Sequence, residues 1–177
     1  MGYDGGEWRK VGIIRETERC SLLFLKEPLQ PPNRVFIGEY KHSIDEKGRL
    51  AVPKKFRKDL AKGAVVTRGL DTSLFLFPKE EWGKLAEKLA GLPLGQSNSR
   101  AFARLMLAGA MDVTLDKQGR VVLPEYLRQY ASLKKSVVVA GLWGRIEIWD
   151  EKTWDTYKKK LEGDAEAVAE QLGELGV

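Results

Sequence analysis

The chain has 177 residues, 43% of them apolar, and carries 30 Lys/Arg against 25 Asp/Glu for a net charge of +5. That length suits one ordinary domain or two small halves sharing a core, with the composition of a folded globular protein. It holds no apolar run long enough to span a bilayer, and "CSLLFLKEPL" is too short and too soon charged for a span or a secretory leader. Along the chain, residues 36–44 read as extended. "DEKGR" (45–49) then reverses the backbone, because an Asp carboxylate bonds nearby N–H groups and Gly48 tolerates positive φ. Residues 50–52 resume as strand, and Pro53 suits the first position of a short helix. "AVVTRGL" and residues 74–77 read as β. A helix follows from near Lys79, with Trp82, Leu85 and Leu89 at i, i+3 and i+7. "GLPLGQSNS" breaks it, and residues 99–107 offer another helix.

From there the chain repeats itself. "DKQGRVVLPEYLR" (116–128) overlays "DEKGRLAVPKKFR" (45–57) with Asp, Gly, Arg, Pro and Arg in register, together with the apolar pairs Leu50/Val121, Val52/Leu123 and Phe56/Leu127. The likeness continues, after one residue of slippage, with "VVTRGLDTSLFLFPKEEWGKLAEKL" (65–89) over "VVVAGLWGRIEIWDEKTWDTYKKKL" (137–161). The second copy therefore predicts extended residues 111–115, a turn at Asp116 and Gly119, Pro124 opening a helix, two further strands and a helix from near Glu151. A repeat of about seventy residues is small for a stable unit, which points to two copies sharing one core. The expectation is an α+β chain closed as a pseudo-twofold β-barrel.

The chemistry is narrow. One histidine, His42, excludes His-based triads and His-rich metal sites, and one cysteine leaves no zinc cluster or internal disulfide, in keeping with a reducing cytoplasm. No phosphate-loop or dinucleotide fingerprint occurs. Neither cofactor, metal nor catalysis is expected. Asp45 and Asp116 could converge as a carboxylate pair, but turn chemistry favours each bonding its own reversal. Residues 36–62 carry eight Lys/Arg against four Asp/Glu, whereas residues 161–177 carry five acids and no Lys or Arg. A basic body with an acidic tail predisposes to polyanion binding. Arg49 and Arg120 follow the turn glycines, where a guanidinium at a ribbon tip can enter a major groove and pair with guanine or phosphate. Lys47 and Lys117 share those turns; Lys41, Lys54 and Lys55 would surround them as phosphate contacts. The alternative is that each arginine bridges the aspartate four residues before it. Arg57 and Arg128 are open between anion contact and the solvated end of a short helix. Trp82 and Trp154 read as helix-to-core packing.

The pair "SIDEKGRLAVPKKFR" and "TLDKQGRVVLPEYLR", each followed by a β-β-helix segment, closely resembles the MraZ family, whose members carry two tandem SpoVT/AbrB-like motifs. The resemblance implies a swapped-hairpin AbrB-like β-barrel with flanking helices, assembled into a ring-like homo-oligomer. It implies a cytoplasmic, nucleoid-associated regulator that binds G-rich direct repeats in double-stranded promoter DNA and represses its own division and cell-wall operon. The family's Asp-x-x-x-Arg motif falls on Asp45 and Arg49 and on Asp116 and Arg120, the arginines reading DNA and the aspartates holding the turn. The parts are then residues 36–90 and 110–162 as the two repeats, a linker with a helix at 91–109 and an acidic tail at 163–177. Members begin close to "F.GEY", so Val35 suits a GTG start, and residues 1–34 are expected to be non-native or a disordered arm. The competing reading is an RNA-binding or scaffold protein using the same barrel.

Overall fold

The computed structural model describes residues 35–173, and the expectation for residues 1–34 lies outside them. Eight strands and five helices follow in the anticipated order: β1 (Phe36–Ser43), β2 (Arg49–Ala51), α1 (Lys54–Leu60), β3 (Ala64–Arg68), β4 (Leu74–Pro78), α2 (Lys79–Ala90), α3 (Ser97–Leu107), β5 (Met111–Val113), β6 (Arg120–Val122), α4 (Glu125–Tyr130), β7 (Ser136–Trp143), β8 (Arg145–Asp150) and α5 (Glu151–Gly173). Pro53 and Pro124 stand one residue earlier than expected. They cap α1 and α4 with extended ψ values of 133° and 145°, so the ring ends the strand and the next residue starts the helix. The helix that opens at Glu151 runs on to Gly173, through much of the acidic tail.

Strand pairing intertwines the repeats. The six-stranded antiparallel sheet has the order β1-β7-β8-β4-β3-β5, and β2 pairs only with β6. Each repeat's first strand thus leaves its own hairpin for that of the other copy: β1 lies on β7 over eight residue pairs, and β5 lies on β3 over three. The hairpins meet at β4 and β8, with Leu74 opposite Ile148 and Leu76 opposite Ile146.

One core results. Leu50, Val52 and Phe56 are buried together with Val121, Leu123 and Leu127, the same positions that match between the repeats. Phe56 meets the rings of Phe36 and Tyr40 edge-on at 5.2 and 5.3 Å, geometry in which ring edge faces ring cloud. Neither half could bury these side chains alone, which is why the apolar register persists while the intervening charges vary. A smaller cluster of Phe75, Phe77, Leu89 and Met106 includes Trp82, and Trp154 packs on Trp149 at 5.4 Å. Both tryptophans are packing groups. Leu161, third in the second helical stripe, is exposed.

Candidate nucleic-acid interface

The two Asp-x-x-Gly-Arg turns close by the same bonds. The Asp45 N–H donates to Arg49 O (3.0 Å) and the Gly48 N–H to Asp45 O (2.9 Å); Asp116, Gly119 and Arg120 repeat this at 2.8 and 2.9 Å. Asp45 Oδ1 accepts the amides of Lys47 and Arg49, each at 2.9 Å, and Asp116 Oδ1 accepts those of Gln118 and Arg120 at the same length. The other carboxylate oxygen holds the guanidinium: Arg49 Nε reaches Asp45 Oδ2 at 2.6 Å, while Arg120 Nε and Nη2 reach Asp116 Oδ2 at 2.8 and 2.7 Å. These donors favour the ionised acid. The backbone N–H of Arg49, then its side chain, holds Asp45 below its usual range; the Arg120 side chain, then its N–H, lowers Asp116 to about 2.

Arg49 and Arg120 do not occupy separate ribbon tips. Within the first repeat only an isolated bridge, Ile44 to Leu50, joins the strands flanking the turn, because β1 is committed to β7. Instead β2 and β6 form one short ladder with Arg49 opposite Val122 and Ala51 opposite Arg120. Leu50 and Val121 turn inward. Period-two alternation then puts Arg49, Ala51, Arg120 and Val122 on the outer face, with the two arginines diagonal across the ladder. Each arginine's charge is balanced by its own aspartate.

The turn glycines are buried against the opposite repeat. Gly48 and Gly119 adopt φ of 73° and 77°, a region costly to side chains with a Cβ. The Val52 N–H donates to Gly119 O at 3.0 Å, and the Leu123 N–H donates to Gly48 O at 2.8 Å. A methyl group on Gly48 would stand 3.0 Å from Arg128 Nε, and one on Gly119 would overlap the Arg57 side chain. Arg57 and Arg128 fold back to the carbonyls of Val52 (2.8 Å) and Leu123 (3.1 Å), so each straps the other repeat's turn. Each Nε is thus taken up within its own repeat while the side chain lies against the other repeat's turn glycine. A sequence signal for this existed: arginine is kept in both copies where neighbouring Lys54/Glu125 and Lys55/Tyr126 are not.

The surrounding lysines divide. Lys47 lines an open cleft of about 690 Å³ together with Asp45, Arg49 and Arg128. Lys117 is exposed on the second turn, and Lys54 is exposed at the start of α1. Lys55 Nζ donates to Ile37 O at 3.4 Å. Lys41 is drawn away to Glu151 on α5 at 2.8 Å, and that hydrogen bond raises its pKa. His42 is pushed down by burial and by the Arg57 charge. Asp116 does not join Asp45 in this cleft, and the described residues hold no cluster of three or more His, Cys, Asp or Glu able to bind a metal. No described helix is long and apolar enough to cross a membrane.

A family model described as "MraZ protein, putative antitoxin-like" matches residues 35–105 and again residues 106–174. The "Transcriptional regulator MraZ" of Natranaerobius thermophilus is 48% identical over 143 residues, covering 81% of this chain and 100% of that one. A protein of the same name from Herpetosiphon aurantiacus matches over the same span at 48%, and one from Acetivibrio thermocellus at 44%. With a twofold family match over most of its length, and relatives this similar from end to end, the chain belongs to the MraZ family.

Proposed function

We propose that the protein is a sequence-specific DNA-binding transcription regulator whose reading surface is the outer face of the β2–β6 ladder. One observation carries this reading: Arg49 and Arg120, brought from two repeats onto one face, each spend Nε on an aspartate that fixes the guanidinium plane. A clamped guanidinium loses little further freedom when it meets guanine O6 and N7, and a two-stranded ribbon fits the major groove. Lys47 and Lys117 would meet the flanking phosphates with Lys54 and Lys55, which form no ion pair among the described residues; Lys41 contributes only after giving up Glu151. The naming of relatives as transcriptional regulators supports the same class.

The finer reading is a closed, swapped-hairpin barrel assembled into a ring-like homo-oligomer in the cytoplasm, associated with the nucleoid. There it binds G-rich direct repeats in its own promoter and represses a division and cell-wall operon. A ring would set several weak reading faces on successive repeats, so affinity grows through effective concentration. The scaffold or RNA-binding alternative is favoured by the closeness of the Arg–Asp pairs, which alone could justify both arginines. Binding of the wild type, Arg49→Ala and Arg120→Ala to the upstream DNA and to a scrambled duplex, with oligomer size measured in parallel, separates the two. Preference for the native repeats, lost in variants of unchanged size, is expected. Equal, steeply salt-dependent binding of both duplexes would leave only a basic surface. A variant oligomer that falls apart would give the arginines to the scaffold.

A further inference from the structure

The cleft beside the first turn draws four of its ten lining residues from the second repeat. Ser43, Ile44, Asp45, Glu46, Lys47 and Arg49 form one wall, and Arg128, Leu133, Lys134 and Lys135 form the other. Five cations face two carboxylates, and one of those, Asp45, is already occupied by Arg49. The segment carrying Lys134 and Lys135 is pinned along its backbone. The Leu133 N–H donates to Arg128 O at 2.9 Å, the Lys134 N–H to Asp150 Oδ2 at 3.2 Å, and Lys135 O accepts the Ile44 N–H at 2.8 Å. Their ammonium groups, by contrast, have no hydrogen bond or ion pair among the described residues, unlike those of Lys41, Lys79, Lys84 and Lys158. Two unpaired cations next to a clamped arginine are open to an anion, and with the backbone already pinned only their side chains need ordering when one binds. The first repeat has no equivalent pair: its corresponding stretch is Ala61-Lys62-Gly63, one residue shorter, which is the slippage between the two copies.

We propose that this cleft seats a backbone phosphodiester of the DNA strand flanking the bases that Arg49 addresses, held by Lys134 and Lys135. The proposal rests on the DNA-reading assignment of the β2–β6 face. A ribbon lying in a groove has a phosphate rail along each side, and the cation-lined hollow beside the ribbon is where one rail would run. The contact crosses repeats, so the second repeat anchors the strand that the first repeat reads.

The test uses the full chain. Affinity for a duplex carrying the promoter repeats and for a scrambled duplex is measured over a salt series for the wild type, for Lys134→Gln/Lys135→Gln, and for Lys88→Gln/Lys160→Gln, which removes two cations outside the cleft. Loss of one or two phosphate contacts lowers the slope of log K against log salt by about 1–2. We expect that loss for the cleft variant on both duplexes, with the preference between them intact, and no comparable change for the control. Methylphosphonates flanking the repeats should weaken the wild type more than the cleft variant, which has already lost one of the contacts they remove. An unchanged slope in a wild type that does bind DNA overturns the cleft and spares the reading face; a wild type that ignores DNA overturns both. Equal losses in the two double variants reduce the effect to net charge. Saturable binding of inorganic phosphate that the cleft variant loses, with the DNA slope unmoved, assigns the seat to a free anion instead and likewise overturns the proposal.

Discussion

The turns at 45–49 and 116–120 close by the same bonds and differ in what stands next to them. Both close on an aspartate, both place arginine after a buried glycine, and both are strapped by an arginine from the opposite repeat. Around the first turn, however, Arg49 faces a cleft with Lys134 and Lys135. Around the second, no comparable pair of lysines is supplied by Ala61-Lys62-Gly63. Duplication built one frame twice, and the one-residue difference between the copies then made the two sites unequal.

The largest losses are expected in the shared core. Phe56→Ala should cost about 3–5 kcal/mol and Leu127→Ala about 2–5 kcal/mol, and both should lower a single transition followed by tryptophan fluorescence in denaturant. Two separable transitions, with each substitution moving only one, would mean two independent halves. The glycines come next. Gly119→Ala and Gly48→Ala each force a side chain into positive φ, costing about 1–3 kcal/mol by the same denaturant measurement. The loss should be larger at Gly119, where the new methyl group overlaps Arg57. Equal losses would assign the whole effect to backbone strain. Between the arginines, Arg49→Ala should weaken specific DNA binding more than Arg120→Ala, each within about 1–3 kcal/mol in an equilibrium titration. The reverse order would remove the functional weight from the first turn. The smallest effect is protonation. Asp116 is depressed from 3.8 to about 2, so its contribution to stability is complete above the ordinary value and is lost as pH falls through about 2. Carboxylate NMR should show that midpoint, with Asp45 also below 3.8. An ordinary midpoint at both would mean that neither pair persists in solution.

The turns were legible in the sequence because their bonds span four residues or fewer: the Asx pattern, the glycine and the arginine all act within "DEKGR" and "DKQGR". The alternation and helical stripes were legible for the same local reason. What was hidden lies across the crossing of the repeats. Two arginines seventy-one positions apart gave no sign of sharing a face until β2 was seen to pair with β6 instead of β1. Lys41 looked available because its partner Glu151 stands 110 residues away, and Lys134 and Lys135 looked unremarkable because the turn they flank belongs to the other copy. Arg57 and Arg128 offered the one decipherable long-range clue, an arginine retained where its neighbours were free to change. Pro53 and Pro124 stood one residue early because the strand before each ends within the ladder, leaving proline as the cap.

The central claim, that each turn is held by the opposite repeat, is tested most directly by amide hydrogen exchange at Gly48 and Gly119 in Arg57→Met and Arg128→Met. Methionine keeps an apolar stem and removes the Nε donor. If the straps cross as described, Arg57→Met speeds exchange at Gly119 and leaves Gly48 protected, and Arg128→Met does the opposite. If each variant loosens the glycine of its own repeat, or neither glycine responds, the two copies do not hold one another and the account of the repeated motif is wrong.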